Sequence, residues 1–237
     1  MIYLIGDTHG DNEYFKMGNK FLKKKVGKVA VKGDLIIQTG DLGFIWDQES
    51  NISRTELHLK DWISSKHFNV VTCGGNHENW DRILKLPLVD VSWLNGKAYQ
   101  YLHNVFYAKR GEVYTINGQT YFFMGGGLSI DKHRRIPGIS FWEEEIASMN
   151  EMQNGVDALD KVNWEVDYVI AHTYPNKALL RFDMYHYQDP MASYFDNLLG
   201  FGLNFKHWYG GHLHTDKTVN IENKLYTCIY DEVLKIE

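Results

Sequence analysis

The sequence predicts an α/β fold, and three observations carry the prediction. The first 73 residues alternate short apolar runs with amphipathic stretches in the order strand, helix, strand, helix, strand. Five apolar runs are each followed, directly or across a glycine turn, by polar residues of one narrow chemical kind. These are Asp7-Thr8-His9, Gly40-Asp41, Gly75-Asn76-His77-Glu78, His172, and His212-Leu213-His214. In open α/β sheets sites form in the crevice outside the carboxyl ends of the strands, so five such turns are expected to converge. Finally, 237 residues at 44% hydrophobic content suit a sizeable core, and residues 1–237 are expected to form one domain.

The elements follow in order. Ile2–Ile5 leads a strand at about 2–6. A helix at about 12–25 carries Lys20, Lys23, Lys24 and Lys25, with Lys28 just beyond; cations near its C-terminal end complement the dipole, and Gly27 stops it. Strands at about 33–38 and 69–73 flank a helix at about 53–66, and a short helix follows Trp80. Residues 105–113 and 119–124 read as two strands about the turn Asn117-Gly118. A helix from Trp142 to about Met152 takes Ser140 as N-cap, with Glu143 and Glu144 in its first turn. Strands return at about 166–171 and 206–210, and residues 217–236 form a hairpin around Asn223-Lys224.

Composition excludes several classes. A net charge of −5 gives no general attraction to polyanions, so extended nucleic-acid binding is not expected. Cys73 and Cys228 suggest no disulfide framework. The run Ile2–Ile5 is too short for a signal peptide or a membrane span, which makes a cytoplasmic location without membrane association the default. No linker, repeat or signal for an oligomeric state is visible.

The polar series has the chemistry of a metal site. Imidazoles with carboxylates and one amide oxygen suit Mn, Fe, Zn or Ni, and neither cysteine lies at a ligand position. Two ions about 3.5–4 Å apart need a bridging group, and a carboxylate with two oxygens serves better than an imidazole. Asp41 is the candidate bridge. Singly, Asp7 could be an N-cap and His172 a hydrogen-bonded core histidine; the argument lies in the series.

GDTHG (6–10), GDLG (40–43), GGNHE (74–78) and GGHLH (210–214), with His172 between the last two, resemble the calcineurin-like metallophosphoesterase superfamily. The resemblance implies a four-layer αββα sandwich of mixed β-sheets flanked by helices. It also implies two divalent metal ions, Mn foremost, with Fe, Zn and Ni as alternatives. Asp7, His9, Asp41 and His214 would hold one, and Asp41, Asn76, His172 and His212 the other. His77 would be the catalytic histidine, beside the metals but not bound to them. The implied reaction is attack of metal-activated hydroxide on a phosphomonoester or phosphodiester of a small phosphorylated molecule or nucleotide.

Departures from the superfamily narrow the choice. Its protein Ser/Thr phosphatases continue the second block as GDxVDRG and write the third as RGNHE. Here Phe44 and Ile45 replace the Asp and Arg of the former, and Gly74 replaces the phosphate-binding Arg of the latter. A protein phosphatase therefore ranks behind a small-molecule enzyme. Residues 125–135, GGGLSIDKHRR, with Trp142-Glu143-Glu144 following, resemble a loop of a bacterial and phage-type branch, Arg135 falling on its Arg position. Arg135, with Arg134 or His133, is expected to contact a phosphoryl oxygen; the competing role is an Asp131–Arg135 ion pair that pins the loop. A nuclease would need a basic groove that is not visible. A non-catalytic binding scaffold on the same fold should have lost ligands that this chain keeps. Phe44, Trp46, Trp80 and Tyr174 favour packing over base stacking, Tyr185, His186 and Tyr187 are open to either, and residues 131–155 and 183–200 are candidate covers.

Overall fold

The computed structural model describes residues 1–184 and 188–236. The elements are β1 (Ile2–Ile5), α1 (Asn19–Val26), β2 (Leu35–Gln38), α2 (Arg54–Ser64), β3 (Asn69–Thr72), α3 (Trp80–Ile83), β4 (Leu88–Val91), β5 (Gly96–Leu102) and β6 (Val105–Ala108). They continue with β7 (Glu112–Ile116), β8 (Gln119–Met124), α4 (Met149–Asp160), β9 (Tyr168–Ala171), α5 (Asn176–Arg181), α6 (Pro190–Gly200), β10 (His207–Gly210), β11 (Lys217–Ile221), β12 (Lys224–Cys228) and β13 (Val233–Ile236).

Two sheets result, ordered β13-β1-β2-β3-β6-β5-β4 and β11-β12-β10-β9-β8-β7. Each has four parallel strands at its centre and antiparallel strands at its edges. β1, β6 and β9 are buried along nearly their whole length, which is why they read as unbroken apolar runs rather than alternations. In β1, Ile2 and Leu4 face the second sheet with Ile37, Val71, Phe123 and Ile170, while Tyr3 and Ile5 pack outward with Leu22 of α1 and Leu59 and Ile63 of α2. On the other side Phe122, Val169 and Trp208 meet Leu159 of α4, Leu179 of α5 and Phe195 of α6. Helices, sheet, sheet and helices are thus four layers, the sandwich that the resemblance implied.

Several boundaries differ from expectation. The helix expected at 12–25 is α-helical only from Asn19; before it, Gly10–Asn12 and Tyr14–Met17 form two 3-10 turns, broken at Glu13. Its stop is as expected, Gly27 being left-handed with its N–H on Lys23 O. The strand expected at 105–113 is two strands in different sheets, because the chain turns at Arg110-Gly111 and buries the Arg110 guanidinium over the Trp80 ring, 3.5 Å from its centroid. The helix expected from Trp142 is displaced. Ser140 Oγ accepts from Ile136 N within its own loop, Glu143–Glu145 makes a single 3-10 turn, and α4 opens at Met149 under a Ser148/Glu151 capping box. That box satisfies two orphan N–H groups reciprocally and contributes about 1 kcal/mol. β4, β5, α5 and α6 were not anticipated. The tail does form a hairpin, β11 with β12, but its turn residues are Glu222 and Asn223, both at positive φ; β13 then crosses to pair with β1 in the other sheet. Among the described residues no helix is long and apolar enough to cross a membrane.

Candidate metal centre

Five loops at the carboxyl ends of β1, β2, β3, β9 and β10 bring the expected residues together. The loop after β1 is zipped to the loop after β2, Thr8 N and His9 N both donating to Asp41 O at 3.0 and 2.9 Å. The loop after β10 is tied to the first, His212 N donating to both oxygens of Asp7 at 3.1 and 3.0 Å. Asp41 Oδ1 accepts from His77 N at 2.7 Å, which joins the β2 and β3 loops. Four residues of the cluster hold left-handed backbone: His9 at φ 44°, Asp41 at 56°, His212 at 70° and His214 at 48°. For non-glycine residues such conformations cost about 1–3 kcal/mol each and persist where surroundings enforce them, a mark of functional loops.

The side chains aim inward. Asp41 turns one oxygen to His9 Nε2 and the other to His172 Nε2, each at 3.3 Å, as a bridging carboxylate requires. His214 Nε2 lies 3.3 Å from Asp7 Oδ2. His172 Nδ1 sits 2.9 Å from Thr39 O, an acceptor, so this nitrogen carries a proton and Nε2 is the one turned into the cluster. Asn76 donates its amide Nδ2 to Ser129 Oγ at 3.1 Å, which leaves Oδ1 facing His172 Nε2 at 3.0 Å; His212 Nδ1 approaches the same nitrogen at 3.1 Å. Asn76 Oδ1, His212 Nδ1 and Asp41 Oδ1 thus crowd one ring nitrogen, and the arrangement calls for positive charge there, supplied by a proton or by a metal ion.

The electrostatics agree. Burial opposes charge on His172, but the facing Asp41 and Asp7 carboxylates outweigh it and push the imidazole up to about 9. Burial and the neighbouring His172 charge push His212 down to about 3. Three groups have donor atoms all within 4.8 Å of one another: Asp7, His9 and His214; His9, Asp41 and His77; and Asp7, Asp41 and His172. Hard oxygens with imidazoles, a tautomer fixed from outside and a bridging carboxylate make a donor set that fits divalent cations.

His77 lies edge-on to His9 (ring centroids 5.1 Å apart) and stacked on Trp46 (5.9 Å, 19°). Burial, with the Arg135 guanidinium, holds its imidazole below the ordinary range against the pull of Asp41. Arg135 makes the ion pair given as its competing role, and it also touches His77. Its Nε pairs with Asp131 at 2.8 Å, and its two terminal nitrogens lie 3.4 and 3.2 Å from the two ring nitrogens of His77. A neutral imidazole accepts at one nitrogen, so at most one of these contacts is a hydrogen bond. Arg134 and His133 do not join the site; they are exposed and contact each other at 3.2 Å.

Two clefts meet at His77. One, of about 380 Å³, is lined by Asp41, Asn76, His77, His212 and His214 with Ile130, Asp131, Arg135, Met184 and Leu213. The other, of about 310 Å³, runs past His9 to Asp11, Asn12, Trp46, Asp47 and Ser53. Of the two candidate covers, the first borders the first cleft through Asp131 and Arg135 and the second through Met184, while α6 within the second is packed into the outer core through Met191, Phe195 and Leu198. Phe44, Trp80 and Tyr174 are core, and Trp46 alone of the four aromatics reaches a cleft. Tyr185, His186 and Tyr187 lie outside the described residues.

Sequence reasoning missed the supports. Glu78 is buried and accepts from Leu42 N at 2.8 Å, Gly43 N at 3.4 Å and Tyr107 OH at 3.2 Å, propping the loop that carries Asp41; burial and the Asp41 charge push it up to about 8. The GGNHE block contained it without showing this role. Ser129, in the glycine-rich loop, is anchored by its N–H on Glu145 Oε1 at 2.9 Å and orients Asn76. Ser129→Ala should free the Asn76 amide to rotate and weaken Mn binding about 10–100-fold, the usual scale for a group that orients a ligand. Calorimetric titration with Mn checks this, and parent affinity would remove Ser129 from the site.

Among solved structures the chain is similar to the phosphopantetheinyl hydrolase of Mycobacterium tuberculosis, at 14% identity over 97% of this chain and 89% of that one, TM-score 0.48. It is similar to GAP50, the anchor in the inner membrane complex of Plasmodium, at 12% identity over 97% and 70%, TM-score 0.51. It is also similar to a Staphylococcus aureus protein assigned provisionally as a 5′-nucleotidase, solved with alpha-ketoglutarate, at 14% identity over all of this chain and 51% of that one, TM-score 0.52. The chain therefore spans about half the length of that last protein, and likeness at this identity concerns the fold. No curated protein matches the chain. A sequence model described as calcineurin-like phosphoesterase matches residues 1–216, from the first strand through the last loop of the site, and with the four-layer fold it places the chain in the calcineurin-like phosphoesterase family.

Proposed function

We propose that the chain hydrolyses a small phosphoester at a two-metal centre. The observation that carries this is the inward-facing set of acceptors around His172, Asp41 and Asp7. Asp7, His9, Asp41 and His214 would hold one divalent ion and Asp41, Asn76, His172 and His212 the second, with Mn as the first choice and Fe, Zn or Ni compatible. Bound there, such ions would lower the pKa of coordinated water towards neutrality and offset charge on the phosphoryl oxygens. The chain's own groups supply position and protons. His77, at the junction of the clefts, is placed to hold a proton at the leaving oxygen. Arg135, held at Nε by Asp131, offers its remaining nitrogens to a phosphoryl oxygen.

Charge supports a small substrate. Among the described residues lining the two clefts, Arg135 is the one Lys or Arg, and Asp11, Asp47 and Asp131 stand along them, so the phosphates of a nucleic-acid strand would meet carboxylates. The features that argue against a protein Ser/Thr phosphatase are Phe44 and Ile45, which are buried, and the Trp80 ring, which fills the space a side chain at Gly74 would need. Two clefts leave room for a substituent on either side of the phosphoryl group, which favours a diester.

The test is turnover of bis-p-nitrophenyl phosphate, p-nitrophenyl phosphate and a nucleoside monophosphate by Mn-loaded protein. The expected result is a diester preference in kcat/KM of about tenfold or more, roughly 1.4 kcal/mol. Arg135→Ala should lower that kcat/KM by roughly 10²-fold, as loss of a positioning clamp does; an unchanged value would leave Arg135 with its ion pair alone. Two bound metals without turnover of any substrate would favour a binding scaffold.

A further inference from the structure

The family match ends at residue 216, yet a turn beyond it reaches the metal centre. We propose that Tyr230 and Glu13 are positioning residues for His9 and His214, acting on one of the two metal positions and not on the other. The inference rests on the ligand assignment above.

Tyr230 lies flat on His214, with ring centroids 4.7 Å apart and planes at 8°. His214 is 49% exposed, so its ring needs a partner to hold its plane, and the phenol ring is that partner. The Tyr230 hydroxyl donates to Glu13 Oε1 at 2.9 Å, and the other oxygen of Glu13 lies 3.5 Å from His9 Nδ1. A carboxylate at Nδ1 keeps the proton there and turns the Nε2 lone pair inward, towards Asp41 at 3.3 Å. One tyrosine thus acts on two histidines, through its ring on His214 and through its hydroxyl and Glu13 on His9.

The network is closed by a buried cation. Lys16 is 1% exposed, lies 3.2 Å from Glu13 Oε2 and 3.8 Å from the Tyr230 ring centroid, and donates to Asp7 O at 3.1 Å. It pairs with Glu13 and fastens the network to the loop that carries Asp7. The turn itself is gripped by the ligand loops. Asp216, two residues past His214, accepts from Tyr230 N, Asp231 N and Glu232 N at 2.8, 3.0 and 3.0 Å. Ile229 O stands where a Cβ at Gly6 would be, 1.9 Å away, so the glycine before Asp7 admits this turn against the first loop. The segment that carries Tyr230 is therefore placed by the loops of Asp7 and His214.

A purely structural Tyr230 would lower stability without distinguishing the two metals; a positioning Tyr230 weakens one of them. The experiment is calorimetric titration with Mn, with electron paramagnetic resonance on the loaded protein and melting of the metal-free protein, for the parent, Tyr230→Leu, Tyr230→Phe and Glu13→Gln. The parent is expected to bind two Mn per chain and to show a spin-coupled pair. Tyr230→Leu and Glu13→Gln should weaken one Mn about 10–100-fold, leave the other at parent affinity and show an isolated-ion spectrum at one equivalent. Tyr230→Phe keeps the ring, loses the hydroxyl, and should fall between. Two Mn at parent affinity in both Tyr230→Leu and Glu13→Gln would overturn the proposal, as would equal weakening of both metals together with a lowered melting temperature. A parent that binds fewer than two Mn would overturn the ligand assignment, and this inference with it.

Discussion

Asp41→Asn is expected to abolish turnover and to reduce bound Mn from two per chain. Asn is the informative replacement because it tolerates the left-handed backbone that Asp41 holds at φ 56°, and its Oδ1 can still accept from His77 N. The loop should therefore survive. What disappears is the second anionic oxygen: Asp41 faces His9 with one oxygen and His172 with the other, and an amide has one ligating oxygen to offer. A metal contributes several kcal/mol of charge stabilisation in the transition state, so a loss of roughly 10³-fold or more in kcat/KM is expected. Metal content after dialysis, kcat/KM on the best substrate and the far-ultraviolet spectrum check it. A variant with parent metal content and activity would remove Asp41 from the bridging position.

Gly75→Ala is expected to disable the site by sterics alone. The backbone at Gly75 is not in the left-handed region, so alanine meets no conformational penalty there. Its Cβ, however, would lie 2.1 Å from Asp41 Oδ1, 2.5 Å from Asp41 N and 2.7 Å from His172 Nε2. Real Cβ atoms do not approach so closely, so Asp41 and its loop must move. Overpacking of this kind costs about 1–3 kcal/mol of stability, while a displacement of about 1 Å at a positioned group costs about 10²-fold in rate. The expected outcome is a folded protein, slightly lowered in melting temperature, that binds Mn weakly and turns over at about one per cent of the parent rate. Parent activity would mean that the loop yields without disturbing the cluster.

The legible parts of this protein share a property. Asp7, His9, Asp41, Asn76, His172, His212 and His214 each follow the end of an apolar strand by a few residues, and that spacing is local, so chemistry and position could be read together. The α/β class followed from the same runs, and the four layers from resemblance of the motif blocks. Where local signals competed, the reading failed: Ser140 and Ser148 each have a Glu three residues on, Glu143 and Glu151, and the helix took Ser148 while Ser140 Oγ is held by Ile136 N within its own loop. The strand expected at 105–113 failed for another reason, since partition between two sheets depends on where Arg110 is buried.

Residue chemistry and strand-to-turn spacing by themselves determined the ligand candidates, and the resemblance of the motif blocks pointed to the family and the phosphoester chemistry it implies. Tertiary structure alone decided which groups contact those candidates and their neighbours: Thr39 on His172, 133 residues apart; Ser129 on Asn76, 53 apart; and Tyr230 on Glu13, 217 apart. The physical reason is that backbone propensity and hydrophobic periodicity act over a few residues, whereas these contacts exist because two sheets pack and β13 returns to β1, an event that no local pattern around Tyr230 or Ser129 encodes.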